Sequence, residues 1–272
     1  MSRLVSTLGL LLAIATSVDG QWLNYHDPKT PRTADGKANL SAPAPRVNGK
    51  PDLTGVWQAE RTPTDEFVRA LGPGLPQLQV DLADITKYVL NVFWGTKPGE
   101  EPMTPAGAAK FKENASSGRD FQAAYCMPHG MPTNLSVLVF KMVQAPGEVI
   151  VMPGTGDPAR QVYTDGRSLP KNPEPNWTGY SVGTWQGDTL VVETVGVTSR
   201  AWLDGFGHPR SDAMRVTERY RRRDFGHIDA EYVLEDSEYY TRPFGFKTTL
   251  TLQPDTDWLE YVCTENWKNR GK

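Results

Sequence analysis

The second half of this sequence is a series of short strand-like segments separated by turn residues, and this series constrains the fold more than any other feature. Segments rich in β-branched and aromatic residues at such spacing are typical of an all-β sandwich or barrel. With one earlier segment around Trp57, about ten strands are predicted. They span residues 53–58, 135–144, 148–152, 160–164, 180–186, 189–195, 213–220, 227–234, 246–253 and 258–263.

Several of these segments are joined by tight turns. Pro146-Gly147, Gly187-Asp188 and Asp224-Phe225-Gly226 have the residue types that short hairpin turns need. Consecutive hairpins place each strand beside the preceding one and in the opposite direction. The sequence therefore predicts a mainly β fold, an antiparallel up-and-down barrel.

Residues 71–125 have a different pattern, which predicts a small α-helical insertion. Apolar residues between Val80 and Leu90 recur at helical spacing. Farther along, Thr104 precedes Pro105, and these residue types are favoured at the cap and at the first position of a helix. A second helix is therefore predicted to begin at Pro105.

The amino-terminal end has the pattern of an export signal. Arg3 precedes an apolar run from Leu4 to Ala15 that is too short to span a bilayer. We expect cleavage after Gly20, a secreted or periplasmic location and no membrane span thereafter; a retained anchor is the alternative. Residues 21–51 are predicted to form an extended arm, and residues 52–272 a single β-barrel domain.

Charge and cysteine content narrow the range of partners. The net charge of −3 gives no support for nucleic-acid binding. The two cysteines, Cys126 and Cys263, predict a structural disulfide in an exported chain. A buried pair of free thiols and a metal site are the alternatives, but the chain has no CxxC or HxxxH spacing. No metal or cofactor is predicted.

Two connections are longer than hairpin loops. Residues 165–179 contain three prolines and Trp177, and residues 196–212 are rich in aromatic and ionisable side chains. Loops of this length that lack regular structure are usually functional or disordered. The composition of the second connection favours a functional loop.

Glu218 is the first candidate for catalysis. Strand alternation places it on the same face as Met214, Val216 and Tyr220, which is otherwise apolar. A carboxylate there is costly unless it is paired, or else has a raised pKa suited to proton transfer. An interior ion pair with an arginine is the alternative.

His208 is the candidate general acid or base of the second long connection, with Asp204 four residues before it. A carboxylate can orient an imidazole and increase its basicity. The alternative is that Asp204 caps a turn and His208 is a surface residue. His129 is a further candidate partner, and a metal held by His208 with Asp204, Glu218 or His129 is a less favoured possibility.

The aromatic residues of the strands and long loops predict a ligand pocket. As a set they can line an apolar cavity with a few polar groups, although core packing is the alternative for each one alone. The predicted ligand-binding residues are Tyr163, Trp185, Trp202, Phe206 and Tyr220.

Gly55-Val56-Trp57 on the first predicted barrel strand resembles the GxW motif of lipocalins and related calycin barrels. This resemblance implies a calycin-like barrel in which Trp57 has a structural role, closing one end against a basic residue near the final strand. Lys268 and Arg270 are the candidates for that residue.

Most of the mature chain also resembles a group of secreted proteins from environmental bacteria that have no established activity. The resemblance supports the fold and carries no function. It runs through residues 52–57, 125–132, 162–167, 183–194, 202–204, 207–209, 216–220 and 259–266.

These features lead to one main hypothesis and two alternatives. The main hypothesis is a secreted barrel that binds a small, partly apolar or aromatic molecule in its mouth, with residues 202–208 closing over it. The first alternative is an acid–base enzyme, of the lyase, hydratase, isomerase or hydrolase type, that uses Glu218 with Asp204 and His208. The second is an envelope-associated interaction module without a pocket.

Overall fold

The described part of the chain comprises residues 26–62, 86–97, 99–117, 126–132, 139–258 and residue 262 of a computed structural model. The predicted signal segment, residues 1–20, lies outside this part. So do most of the first predicted helix and of the last predicted strand.

Nine strands form a closed barrel, which confirms the predicted mainly β barrel. Strands β7 and β8 have the bounds that the sequence predicts. A short hairpin of β1 (Arg46–Val47) and β2 (Lys50–Pro51) precedes the barrel. The barrel strands are β3 (Gly55–Ala59), β4 (Phe140–Ala145), β5 (Glu148–Pro153), β6 (Arg160–Tyr163), β7 (Tyr180–Gln186), β8 (Thr189–Val195), β9 (Arg215–Arg222), β10 (His227–Glu235) and β11 (Phe244–Leu252).

The strands follow one another around the barrel in chain order, and β11 pairs with β3 to close it. The prediction of a purely antiparallel barrel is wrong at one place, because β6 and β7 are parallel. In a closed ring with an odd number of strands, directions cannot alternate at every step. Because β6 and β7 run in the same direction, residues 164–179 must cross from one end of the barrel to the other between them. This connection is therefore longer than a hairpin loop.

The described residues of the connection between β3 and β4 include two helices, α1 (Lys87–Leu90) and α2 (Pro105–Ser117). The predicted start of the second helix is confirmed, because the Gly107 amide donates a 3.0 Å hydrogen bond to Thr104 Oγ1. Residues 71–85 and 118–125 lie outside the described part, so the full extent of the helical insertion stays a prediction. Neither described helix combines the length and apolarity needed to cross a membrane.

Side chains fill the barrel interior. On β10 the buried residues alternate with partly exposed ones, as expected for a strand with one face on a core. Large apolar side chains from strands all around the barrel meet there, as in other small barrels. Among them are Trp57, Phe140, Met142, Val151, Val162, Leu190, Val192, Val216, Ile228, Tyr232 and Leu250.

The strand directions give the barrel two different ends. At the turn end, short turns join the strands, at residues 146–147, 187–188 and 223–226. At the loop end, the connections are longer and include both helices. They are residues 60–139, 154–159, 196–214 and 236–243.

Trp57 closes the core near the turn end. Its side chain is fully buried, and Nε1 donates a 2.9 Å hydrogen bond to the Leu53 carbonyl. The guanidinium of Arg222 lies 4.9 Å from the Trp57 ring centre and donates to the Asp52 carbonyl at 2.5 Å. The basic partner of Trp57 is thus supplied by the end of β9, whereas Lys268 and Arg270 lie outside the described residues.

The segment before the barrel packs against the turn end. The amides of Phe225 and Gly226 donate to the carbonyls of Ala42 and Leu40, each at 2.7 Å. A side chain at position 226 would come within 2.4 Å of Leu40 Cβ, so glycine permits this close approach. Leu40 and Ala42 also pack against the core.

Arg222→Met is expected to lower the free energy of unfolding by about 2–3 kcal/mol, because buried carbonyls lose a charged donor. Arg221→Met is the matched control, since Arg221 is exposed on the opposite face of the same strand; its effect should stay within about 0.5 kcal/mol. Urea unfolding followed by tryptophan fluorescence measures both. Equal effects of the two substitutions would contradict a stabilising role for the hydrogen bonds of Arg222.

Candidate functional site

Glu218 lies inside the barrel on β9 and is fully buried. Arg160, also buried, donates from Nη1 to Glu218 Oε1 at 3.1 Å and from Nη2 to Oε2. The Tyr220 hydroxyl donates to Oε1 at 2.6 Å. The interior ion pair, the alternative to catalysis for this residue, is therefore the arrangement in the structure.

More polar side chains complete this network. Arg160 Nε donates to Ser181 Oγ at 3.0 Å, and Nη2 donates to Thr194 Oγ1 at 2.8 Å. The hydroxyls of Tyr220 and Tyr232 lie 3.3 Å apart. Burial raises the pKa of Tyr220 well above its usual value, and the nearby carboxylate adds to this effect. The phenol therefore remains a protonated hydrogen-bond donor.

Asp204 and His208 form a buried pair at the loop end. Asp204 Oδ2 lies 2.5 Å from His208 Nδ1 and also accepts the Val92 amide at 2.8 Å. Oδ1 accepts the amides of Phe206, Gly207 and His208 at 3.0, 3.1 and 3.2 Å. Asp204 thus does both things that the sequence left as alternatives: it caps a turn and orients the imidazole.

The imidazole of His208 lies between aromatic rings. Only 2% of His208 is exposed, so its interpretation as a surface residue is wrong. The Phe111 ring stacks on it at 4.4 Å with an interplanar angle of 10°, and Phe93 meets it edge-on at 4.9 Å. Nε2 is buried and has no hydrogen-bond partner among the described residues. In the tautomer that donates from Nδ1 to Asp204, Nε2 would carry the lone pair of the imidazole.

A second histidine–aspartate pair lies at the same end of the barrel. His129 Nδ1 is 3.0 Å from Asp157 Oδ2, and Asp157 Oδ1 accepts the His129 amide at 2.5 Å. Burial acts to raise the pKa of Asp157, but the hydrogen bond and charge of His129, together with hydrogen bonds from Thr155 and Gly130, outweigh it and lower that pKa. Within the described ranges, no group of three His, Cys, Asp or Glu side chains could hold a metal ion.

Arg210, two residues after His208, contacts the backbone close to His129. Its Nε donates to the Thr198 carbonyl at 2.8 Å, and Nη1 donates to the carbonyl of Met131, two residues after His129. Burial lowers the pKa of Arg210 to about 9, against the opposing charges of Asp212 and Asp157, so the side chain is still a cation at neutral pH.

A cleft of about 440 Å³ opens at the loop end, between α2 and residues 199–210. Lys110 and Glu113 of α2 line one side, and Arg200 and Trp202 line the other. Asn114 and Pro209 also line the cleft, and Pro209 directly follows His208. The cleft therefore lies beside the Asp204–His208 pair.

The predicted site residues are dispersed over the structure. Tyr163 is partly exposed on the outer side of β6, where Arg167 lies 3.7 Å from its ring centre, whereas Tyr220 is inside the barrel. Trp185 packs partly buried against the core, and Phe206 lies in the Asp204 turn. Of the five predicted ligand-binding residues, Trp202 lines the cleft.

Glu218 shares no hydrogen bond with Asp204 or His208, so the predicted three-residue catalytic group separates into an interior ion pair and a loop-end pair. Sequence reasoning missed Arg160, Asp157 and Arg210. For Arg160, its position two residues before buried Val162 was an available signal, since both must face inward.

Cys126 is disulfide-bonded, and the described residues include no free cysteine. Cys263 lies outside the described part of the chain, so the pairing of these two residues stays a prediction.

Glu218→Gln is expected to lower the free energy of unfolding by about 3–5 kcal/mol, because it leaves the buried Arg160 cation without its counter-charge. Glu193→Gln is the control, since Glu193 is exposed on the neighbouring strand β8, and its effect should remain below about 0.5 kcal/mol. Urea titration followed by circular dichroism measures both. A Glu218→Gln protein as stable as the wild type would refute a structural role for the ion pair.

No protein-family model, curated protein or solved structure matches this chain.

Proposed function

We propose that this protein binds a small, partly aromatic anion in the cleft at the loop end of the barrel. The observation that carries the proposal is the cleft itself: about 440 Å³, lined by two aromatic residues and by cationic side chains. This volume lies within the usual range for small-molecule sites.

The side chains of the cleft specify the ligand class. Trp202 and Tyr239 offer aromatic surfaces for a planar group. Lys110 is paired with Glu113 at 2.8 Å, whereas Arg200 lies over the Trp177 ring. Glu113 is the acidic side chain among the described residues that line the cleft, and it pairs with Lys110, so within this set Arg200 and the buried Arg210 contribute positive charge that is not offset. A carboxylate on the ligand would supply the missing negative charge.

The proposed site lies outside the interior of the barrel. A hollow barrel would instead be expected to bind its ligand inside. Apolar side chains and the Arg160–Glu218 network occupy the interior. The loop of residues 202–208 keeps its proposed part in binding, because Trp202 forms one wall of the cleft. An interaction module without a pocket is less well supported, since the cleft has the size of a ligand site.

A calycin-like barrel and secretion are part of the same proposal. The sequential strand order and the cation over Trp57 support a calycin-like barrel, although β6 and β7 are parallel. The disulfide at Cys126 and the signal-like amino terminus support export to an oxidising compartment.

Ligand-dependent stabilisation tests the binding proposal. Benzoate and 4-hydroxybenzoate, at about 100 times their Kd, should raise the thermal unfolding midpoint by about 5–10 °C, and uncharged benzamide should raise it less. Arg200→Ala and Trp202→Ala should reduce the shift. Arg219→Ala, on the outer wall of the barrel, is the control and should leave it unchanged. If shifts are the same in all variants, the anions bind elsewhere.

A second candidate function is acid–base catalysis by Asp204 and His208. It is favoured by one observation, a 2.5 Å contact that orients the imidazole while Nε2 has no partner among the described residues. Nε2 would remove a proton from a substrate or from water, and Asp204 would stabilise the resulting imidazolium. Hydrolysis, elimination, hydration and isomerisation all use such a step. Glu218 takes no part in this scheme.

His208→Gln tests the catalytic candidate. With 4-nitrophenyl acetate as a general probe of hydrolysis, kcat/KM should fall by about 10²–10⁴-fold, the usual contribution of a general base. His227→Gln is the matched control, since His227 also pairs with an aspartate, Asp224, at 2.7 Å. Circular dichroism verifies that both variants are folded. Equal rates for His208→Gln and the wild type would exclude His208 as the base for this reaction.

A further inference from the structure

Helix α2 covers the imidazole of His208. The Phe111 ring stacks on the imidazole, and Asn114 Nδ2 donates a 2.8 Å hydrogen bond to the carbonyl of Gly207. A side chain at position 207 would come within 3.0 Å of Asn114 Cβ, so glycine lets the helix lie this close to the loop. The helix therefore separates His208 from solvent.

The beginning of α2 is attached through the backbone. The Thr104 amide donates to the Tyr239 carbonyl at 2.9 Å, and Thr104 Oγ1 donates to the Glu238 carbonyl at 2.8 Å. At position 107, a side chain would come within 2.2 Å of the Tyr239 carbonyl oxygen, so Gly107 brings the first turn close to that backbone. These contacts hold the helix at its amino-terminal end.

The rest of α2 has much weaker attachment. Of residues 105–116, Gly107 and Asn114 alone are buried. Phe111 is partly buried and supplies the aromatic contact with His208. A segment with so little buried apolar surface opens at a smaller free-energy cost than the barrel core.

Helix α2 both lines the cleft and covers His208. Lys110, Glu113 and Asn114 form one wall of the cleft, and Phe111 and Asn114 cover the His208 loop. Rotation of α2 about its attached end would uncover His208 and widen the cleft in one movement. A ligand in the cleft would contact the same helix and would therefore alter the balance between the two positions.

We infer that α2 is a hinged lid that admits a ligand from the cleft to His208 Nε2 and then closes over it. The hinge lies at residues 104–107, and the Asn114–Gly207 hydrogen bond is the latch. This inference rests on the proposed acid–base role of His208, for which closure excludes water from the reacting groups.

Diethyl pyrocarbonate, which acylates unprotonated imidazole, tests for lid opening without a substrate. Peptide mass spectrometry gives the rate at each histidine. We expect His208 in the wild type to react through a local opening, with a rate that depends only weakly on low urea concentrations. If this rate instead rises with urea as steeply as global unfolding does, α2 is a fixed part of the structure and the lid is ruled out.

Loss of the latch should raise the reaction rate. Asn114→Ala removes the hydrogen bond to Gly207 and should increase acylation of His208 about fivefold, as expected for a typical hydrogen bond. Lys112→Ala is the matched control on the exposed side of α2 and should leave the rate unchanged. His227 serves as an internal reference in every sample. Equal rates at His208 in all three proteins would overturn the assignment of the latch.

The result of the acylation experiment can be distinguished from the result of the test of catalysis by His208. Acylation reports access to His208 whether or not any substrate reacts there. A mobile α2 together with unchanged turnover in His208→Gln would retain the lid and remove the proton-transfer role.

Discussion

The buried ion pair between Arg160 and Glu218 is the interaction on which the arrangement of this protein depends. Both side chains are withdrawn from water inside the barrel, where either charge alone would be costly. The ion pair therefore requires β6 and β9 to keep their positions on the barrel wall. With the apolar residues around it, the ion pair also occupies the interior, and the proposed ligand site lies at the end where the long connections are.

Closure of the barrel also constrains the path of the chain. Nine strands in sequential order cannot alternate in direction around a ring, and the parallel pair of β6 and β7 resolves this conflict. The chain between them must travel the length of the barrel, which accounts for the proline-rich connection of residues 165–179. The Asn176 amide of that connection donates to the Gly196 carbonyl, which ties it to the loop that holds the candidate site.

At the loop end, one carboxylate organises the site. Asp204 accepts four backbone amides and contacts His208, so a single side chain holds a turn, an adjacent segment and an imidazole in place. These hydrogen bonds fix the backbone of the long loop where it meets α2 and the cleft. Binding in the cleft and movement of the helix would both act on this segment and would thereby couple the two proposed functions.

Sequence alone determined where most of the described strands lie, the turn chemistry and the start of α2 at Pro105, since these depend on residues near one another in the chain. It left the contact between Asp204 and His208 as one of two alternatives. The partner of Glu218, the stacking of Phe111 on His208 and the cleft were decided only by the tertiary structure. Arg160 is 58 residues from Glu218, and Asn114 is 93 residues from Gly207. Strand alternation states which way a side chain faces, but which side chains meet across a barrel depends on the closure and register of all its strands.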